Sequence, residues 1–363
     1  MKDNLYTFAQ SHPAARAARA LAACALAFLV IGCAAPVTQR VSVDDRARLE
    51  EELAQQRMAM RSEFEMTARL WRVGYPVLKG AAFDCQDTLR PSLGMLAIGR
   101  AQVPSTGRVS LADVLGLGEA RRVLAVYRGG AAEAAGVREG DVIVASSAGF
   151  GPQNEPRAEA IRRMPPGTPV RLDLLRQGAT VTVEVLPDLV CDYPLNYRAN
   201  SQVNAFADGG AIYLTRGMLR FAADDRELAL VIAHELAHNT MGHRGKKTVN
   251  ATVGLIFDLL GAAAGVNTGG VFSDIGAQAF SQDFEREADH VGMYYLARAG
   301  YPTEGVADFW RRMATEHPSS IRTNHSATHP PTTERFLALE SIGAQIRGKA
   351  ARGEPLEPER SKR

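Results

Sequence analysis

The strongest constraint on the fold is the segment LALVIAHELAH, residues 228–238, an apolar run that carries two histidines and a glutamate. An apolar helix of this kind is expected to be buried, and polar side chains buried with it need partners. His234 and His238 are separated by about 400° of helical rotation, so both rings project from one face. Two neutral imidazoles suit zinc, and Glu235 can reach a water held on that metal. The segment therefore predicts a buried metal-binding helix.

The next histidine, His243, is not expected to bind the metal directly. On a continued helix it points about 140° away from His238. The metzincin pattern would require glycine and histidine at the positions where this chain has Met241 and Arg244. We therefore expect His243 to have a supporting or a surface role.

A further ligand is expected from the acidic stretch DFEREADH, residues 283–290. If this stretch is helical, its apolar residues form a stripe that faces the core. That stripe contains Phe284, Ala288, Val291 and Tyr295. Glu285 and Asp289 share a neighbouring flank with Gly292, where another helix can approach closely. A carboxylate beside such a buried wall needs a cation or hydrogen bonds.

This division of the helix assigns different roles to its acids. We expect Glu285 to be the third zinc ligand. Asp289 follows one turn later and can accept the free N–H of a ligating histidine, which fixes the tautomer of that ring. Asp283 and Glu287 lie on the opposite flank, where we expect them to be solvated.

Residues 86–190 are expected to form a separate, β-rich domain. Its centre, RVLAVYRGGAAEAAGVREGDVIVAS, alternates apolar and polar residues and turns at Gly129-Gly130. A hairpin follows, with its turn at Gln177-Gly178. This order resembles a bacterial PDZ domain, a fold that binds extended peptides at a sheet edge. The alternative is a small β-rich domain that only packs on its neighbour.

The N-terminus has the composition of a targeting segment. Basic residues precede an apolar run over 20–32, which ends at Cys33. The arrangement resembles a bacterial lipoprotein signal, which implies removal of residues 1–32 and lipidation of Cys33. Ala34 then favours the outer membrane, by resemblance to enteric lipoproteins. A plain secretory signal or a buried N-terminal helix is the alternative.

Removal of this signal would leave two cysteines, Cys85 and Cys191. In an oxidising compartment an even pair is expected to be bridged. Such a bridge would close a loop of roughly a hundred residues and restrict the unfolded chain. Two unpaired buried thiols are the alternative.

The motif HELAH, followed some fifty residues later by EREAD, resembles the gluzincin family of HtpX and the CAAX prenyl endopeptidases. The resemblance implies that His234, His238 and Glu285 bind zinc. It also implies that Glu235 is the general base, with Asp289 behind the ligands.

Two further segments carry the same resemblance. NAFA, residues 204–207, matches the strand before the metal helix, and Asn204 and Ala205 would pair with the substrate backbone. THPPTTERF, residues 328–336, matches a downstream element. By resemblance, His329 would face the zinc as an oxyanion donor or a resting-state cap, and Arg335 would support the site.

These patterns predict an α+β fold: a mainly helical zincin-type metallopeptidase domain with a small β-hairpin, preceded by the PDZ-like domain. The expected boundaries are a signal at 1–32, a linker and long helix at 33–80 with the helix over 39–70, the PDZ-like domain at 86–190, the peptidase domain at 192–348 and a disordered tail at 349–363.

The expected function is that of a zinc-dependent endopeptidase with one zinc per chain. Its substrates would be polypeptides, namely misfolded or misassembled envelope proteins, and it would be attached to the periplasmic face of the outer membrane by a lipid. A net charge of +2, with no basic stripe, argues against nucleic acid. The alternatives are a peptide-binding scaffold that acts through the PDZ-like domain, and an aminopeptidase, for which no acidic cluster is evident.

Overall fold

The computed structural model describes residues 41–85, 88–103, 109–149, 164–246, 281–316 and 333–359, with the isolated positions Thr38, Ile161, Thr248, Val249, Leu255 and Leu259. The chain divides into two units, residues 1–52 and 53–363. The signal segment 1–32, Cys33 and His329 lie outside the described residues. Their roles therefore stay predictions.

The described residues form an α+β structure. Its helices are α1 (Asp45–Gly80), α2 (Leu111–Leu115), α3 (Ala131–Ala134), α4 (Arg216–Phe221), α5 (Asp225–Thr240), α6 (Ser281–Arg298), α7 (Val306–Glu316) and α8 (Thr333–Ala351). Its strands are β1 (Leu89–Ser92), β2 (Met95–Ile98), β3 (Arg121–Val126), β4 (Val142–Ser146), β5 (Val170–Arg176), β6 (Ala179–Val185), β7 (Asp188–Cys191), β8 (Leu195–Arg198), β9 (Ala205–Ala207) and β10 (Ile212–Thr215).

Helix α1 begins later and ends later than the predicted 39–70. Pro76 lies inside it, although proline normally breaks a helix. The residues around this proline are buried, including Tyr75 and Val77, so packing keeps the segment helical. Gly74 allows the close approach, because a side chain there would collide with Leu195 at the start of β8.

The central part of the chain forms a five-stranded antiparallel sheet in the order β2-β3-β4-β5-β6. Its inward residues, among them Val123, Leu172 and Val185, form a core of their own. The β5–β6 turn falls at Gln177-Gly178, where φ is 49° and 85°. Two positive φ values match the right-handed twist of a hairpin, and this is the turn that the sequence predicted.

A disulfide joins the two ends of this segment. Cys85 and Cys191 are bonded, with 5.4 Å between their Cα atoms. Next to the bond, β1 pairs antiparallel with β7, with Leu89 opposite Cys191. The sequence separation of 106 residues makes the closed loop long. In the chain-entropy account, a loop of this length stabilises the fold by about 4–5 kcal/mol.

The remaining elements build the second sheet and the helices that pack beside it. Strand β10 lies between β8, which is parallel to it, and β9, which is antiparallel. Helix α5 then begins with a capping arrangement. The side chain of Asp224 accepts from the Glu227 N–H at 2.9 Å, and the Glu227 carboxylate accepts from the Ala223 N–H at 2.7 Å. These bonds fix the start of the helix that carries both histidines.

The segment after α8 differs from the predicted disordered tail. Leu356 packs against the main core, and its carbonyl accepts a hydrogen bond from the Arg298 Nε at 2.6 Å. The Glu357 carbonyl accepts from Lys349 at 2.8 Å. Because two cationic side chains bind its carbonyls, the polar and proline-bearing segment up to Glu359 has a defined course.

No helix in the part of the chain that the structure describes is both long enough and apolar enough to cross a membrane.

We expect Asp141→Asn to destabilise the five-stranded sheet. Burial alone would raise the pKa of Asp141, but the Arg176 guanidinium at 2.7 Å and the Arg138 N–H at 2.8 Å outweigh it and hold the pKa below its ordinary value. Loss of these bonds should lower the free energy of unfolding by about 1–3 kcal/mol. Urea unfolding measures the difference.

The pH dependence follows from the depressed pKa. The stabilisation is complete above the ordinary carboxyl pKa of about 4 and disappears as the pH falls through the lower folded-state pKa. The difference in the free energy of unfolding between wild type and Asp141→Asn should therefore become smaller below about pH 4. The control is Asp113→Asn, at a carboxylate that is 63% exposed. This substitution should change the free energy of unfolding little. A difference in the free energy of unfolding between wild type and Asp141→Asn that does not depend on pH would contradict this account.

Candidate metal centre

Helices α5 and α6 approach each other closely at the turn that carries His234. Gly292 of α6 makes this possible, because a Cβ there would lie 3.0 Å from the Ala233 carbonyl oxygen and 3.1 Å from the His234 Cα. The predicted core stripe of α6 is buried, with Ala288 and Tyr295 fully covered. The helix thereby turns its Glu285 flank toward α5.

Three side-chain donors converge between these helices. His234 Nε2 lies 3.2 Å from His238 Nε2. The Glu285 carboxylate lies 3.4 Å from each of these nitrogens. The three residues are 1%, 9% and 3% exposed. Ligand atoms about 2.0–2.1 Å from a tetrahedral zinc are about 3.3 Å apart, so this triangle fits one metal ion.

Asp289 holds the far side of the His234 ring. Its Oδ1 lies 3.0 Å from His234 Nδ1, so this nitrogen keeps a proton, and loss of the other proton would leave the Nε2 lone pair for a metal. Burial lowers the pKa of His234, but the carboxylates of Asp289 and Glu285 outweigh it and raise the pKa to about 9. The site therefore attracts a positive charge strongly.

Arg335 of α8 balances the buried carboxylates. Its guanidinium binds Asp289 through two hydrogen bonds of 2.7 and 2.8 Å and lies 3.6 Å from Glu285. The guanidinium also lies over the Trp310 ring, 4.7 Å from its centroid. Burial raises the pKa of Asp289, but the charge of Arg335 outweighs it, so the pKa stays below its ordinary value. By resemblance, Arg335 was expected to support the site, and Asp289 is the partner that it contacts.

Trp310 is a site residue that sequence reasoning missed. It lies on α7, and its ring meets the His234 ring edge to face with centroids 5.3 Å apart. Trp310 thus packs against both a candidate ligand and Arg335. No signal in the sequence distinguishes it from an ordinary core aromatic on an amphipathic helix.

His243 contacts one candidate ligand, and sequence reasoning missed its second partner. His243 Nδ1 lies 2.8 Å from His238 Nδ1, and its Nε2 lies 2.7 Å from the Glu287 carboxylate. The expectation that Glu287 is simply solvated is therefore corrected. Helix α5 ends at Thr240, and Gly242, with φ of +64°, redirects the chain before His243. A glycine just past a helix end is a known stop signal and could have shown this break.

The two members of this pair differ in their electrostatics. Burial lowers the pKa of the His243 ring and outweighs the pull of Glu287, so the ring is neutral at pH 7. Burial raises the pKa of Glu287, but the His243 hydrogen bond and Lys246 outweigh it and keep the carboxyl ionised.

Glu235 and the predicted substrate strand lie on neighbouring elements. Glu235 follows His234 on α5 and is 2% exposed. Strand β9, which follows Asn204, lies at an edge of its three-stranded sheet. Asn239 of α5 binds the turn after this strand, accepting from the Gly209 N–H at 2.8 Å and donating to the Ala211 carbonyl at 3.1 Å. Sequence reasoning missed this link between strand and metal helix.

We expect Arg335→Ala to destabilise the protein strongly. It leaves the carboxylate of Asp289 buried without its cation, and loss of one partner of a buried ion pair costs about 3–5 kcal/mol. The matched control is Arg286→Ala, which removes a guanidinium that binds Asp283 and Glu334 at the surface. That change should leave the free energy of unfolding nearly unchanged. If denaturant unfolding shows an equal loss of unfolding free energy in the two variants, the assignment of Arg335 as the buried partner of Asp289 is wrong.

Comparison with known proteins agrees with this geometry. Residues 191–343 match peptidase family M48. A Vibrio cholerae protein named "putative beta-barrel assembly-enhancing protease" is 32% identical over 37% of this chain and 31% of its own length. The Escherichia coli K12 beta-barrel assembly-enhancing protease is 27% identical over 41% of this chain and 34% of its own. The mitochondrial metalloendopeptidase OMA1 of Saccharomyces cerevisiae is 29% identical over 37% and 41%.

The matches thus cover less than half of the length of each of these three relatives. Among solved structures, an HtrA-type protease with a decapeptide is 29% identical over 28% of this chain and 30% of its own, with a TM-score of 0.22 that supports no statement about the fold. The matched family segment contains the three candidate ligands, Glu235, Asp289 and Arg335. The similarity to peptidase family M48 is thus confined to residues 191–343, which is less than half of the chain.

Proposed function

We propose that this chain is a zinc-dependent endopeptidase. The observation that carries the proposal is the buried triangle of His234, His238 and Glu285, with Glu235 next to the first ligand on the same helix. Three protein ligands are typical of a catalytic zinc site, which leaves a further position open for water or substrate. We propose one zinc ion per chain.

The residues of the chain divide the chemistry between them. When bound, zinc would supply a Lewis acid that acidifies a water and polarises the scissile carbonyl. Glu235 accepts the proton of the attacking water and then gives it to the leaving amine nitrogen. Asp289 and Arg335 keep His234 in the tautomer that the metal needs. His329 is proposed, from the family resemblance, to face the site as an oxyanion donor or a resting-state cap.

The substrate is proposed to bind as an extended strand along β9. Asn204 and Ala205 lie at the start of this edge, where a polypeptide backbone can add to the sheet. The Asn239 link ties the turn after β9 to the helix of the ligands. A substrate strand on this edge would therefore keep a fixed distance from the metal.

The location and the substrates are also proposals. A lipid on Cys33 would hold the chain on the periplasmic side of the outer membrane. Two relatives are named for enhancing β-barrel assembly, which supports misassembled envelope proteins as the substrates of this chain.

We also propose that residues 86–190 form a PDZ-like domain in front of the peptidase domain, 192–348. Strand β2 lies at the edge of the five-stranded sheet, beside a groove lined by Leu93, Met95 and Ile161. An edge strand beside an apolar groove suits peptide binding. A scaffold without proteolysis is less favoured, because the metal ligands and Glu235 are all present.

We expect Glu235→Gln to abolish peptide hydrolysis while zinc stays bound, because only the general base is lost. Casein cleavage and zinc content measure the two properties in the same preparation. Loss of a general base typically costs about 10²–10⁴-fold in rate. Near wild-type cleavage by Glu235→Gln would rule out this mechanism.

The matched pair for the metal is Glu285→Ala and Asp283→Ala. Both remove a carboxylate from the first turns of α6, but Glu285 is buried and the Asp283 side chain is 58% exposed. Only Glu285→Ala should lose zinc. If both variants keep the metal, Glu285 is not a ligand.

A further inference from the structure

We infer that Glu287 and His243 act together as a positioning pair that fixes the tautomer of His238 and so sets the affinity of the metal site. The inference rests on the proposed metal binding, but not on proteolysis. It concerns His238, whose Nδ1 faces the His243 ring, whereas the Nδ1 of His234 faces the Asp289 carboxylate.

The first step is the direction of the hydrogen bond at Glu287. Its carboxylate is an acceptor, and His243 Nε2 lies 2.7 Å away, so this nitrogen must carry the proton and donate it. The opposite tautomer would place a lone pair of nitrogen against a lone pair of oxygen at that distance. A neutral imidazole has one N–H, so His243 Nδ1 is left as an acceptor.

The second step carries this assignment to the metal ligand. His243 Nδ1 lies 2.8 Å from His238 Nδ1, and two acceptors cannot face each other at that distance. His238 Nδ1 is therefore the donor. Its Nε2 then bears the lone pair, and this nitrogen points at His234 Nε2 and Glu285. The carboxylate of Glu287 thus selects, through one intermediate ring, the tautomer that can bind a metal.

The third step is the rigidity of the intermediate ring. His243 is 1% exposed. Its ring stacks on Phe284 with centroids 4.8 Å apart and an angle of 23° between the planes. Lys246 lies 3.6 Å from the Glu287 carboxylate on its outer side. Phe284 therefore holds the face of the ring, and His238 and Glu287 hold its two nitrogens, as a positioning group requires.

Helix α6 consequently serves both histidines. Glu285 is the ligand, Asp289 supports His234 directly, and Glu287 supports His238 through His243. Residues two apart on a helix point to nearly opposite sides, so Glu287 could not reach the site by itself. The turn at Gly242 brings His243 to the flank where Glu287 lies.

The test is the zinc affinity of the full mature chain, measured by competition with a chromophoric chelator. Variants are His243→Ala, His243→Asn and Glu287→Gln, with Asp283→Asn as the matched control on α6. Loss of a group that orients a ligating histidine typically weakens metal binding about 10–100-fold, and we expect His243→Ala in that range. His243→Asn keeps an acceptor oxygen near His238 and should recover part of the loss.

Glu287→Gln should weaken zinc binding less than His243→Ala, because the amide oxygen can still accept from His243, and Asp283→Asn should leave it unchanged. Nitrogen-detected NMR of the zinc-loaded protein adds a second readout: His238 should carry its proton on Nδ1 in wild type. If His243→Ala fails to fold, Glu287→Gln and the wild-type tautomer still decide.

Zinc affinity within about threefold of wild type in both His243→Ala and Glu287→Gln, well short of the usual loss, would overturn the inference. A proton on His238 Nε2 in the loaded protein would overturn it as well. If the wild-type protein itself binds no zinc, both the proposed function and this inference fail. The wild-type measurement therefore separates the two failures.

Discussion

The close contact between α5 and α6 at Gly292 is the constraint on which the site depends. Glycine has no side chain, and a Cβ added to Gly292 would lie only 3.1 Å from the His234 Cα, so the two helices could not pack this closely with a larger residue there. At this separation a glutamate two turns earlier on α6 reaches both histidines, so that three donors lie 3.2–3.4 Å apart. The capping bonds at Asp224 and the link from Asn239 to the β9–β10 turn then fix α5 itself.

Burial of charge is the second constraint, and it explains why several elements meet here. Glu285 and Asp289 are almost completely covered, and isolated carboxylates are costly in such a place. Arg335 offsets one of these charges, and a bound cation would offset the other. The raised pKa of His234, near 9, reflects this same excess of negative charge. The arrangement therefore favours a divalent metal for electrostatic reasons as well as geometric ones.

Sequence reasoning brought the candidate ligands together because helical periodicity separates the faces of a helix well. The placement of Glu285 and Asp289 on one flank beside Gly292 follows from rotation alone, and the buried stripe through Ala288 supports it. The same reasoning missed the contacts of His243, because it assumed a continuous helix across Gly242. Once the helix breaks, the direction of a side chain depends on the turn, which periodicity does not describe.

Other features depend on tertiary contacts that the sequence does not encode locally. Trp310 and Asn239 come to the site through packing of α7 and through a loop interaction. Helix α1 continues through Pro76, and the segment at Leu356 is held by Arg298, because burial and long-range hydrogen bonds override local preference.

The most direct test of the central claim is X-ray absorption spectroscopy at the zinc edge on the purified protein. The account predicts one zinc with two imidazole nitrogens and oxygen donors, at about 2.0–2.2 Å and with no sulfur neighbour. A sulfur shell near about 2.3 Å, a single imidazole, or a protein that binds no zinc would contradict it.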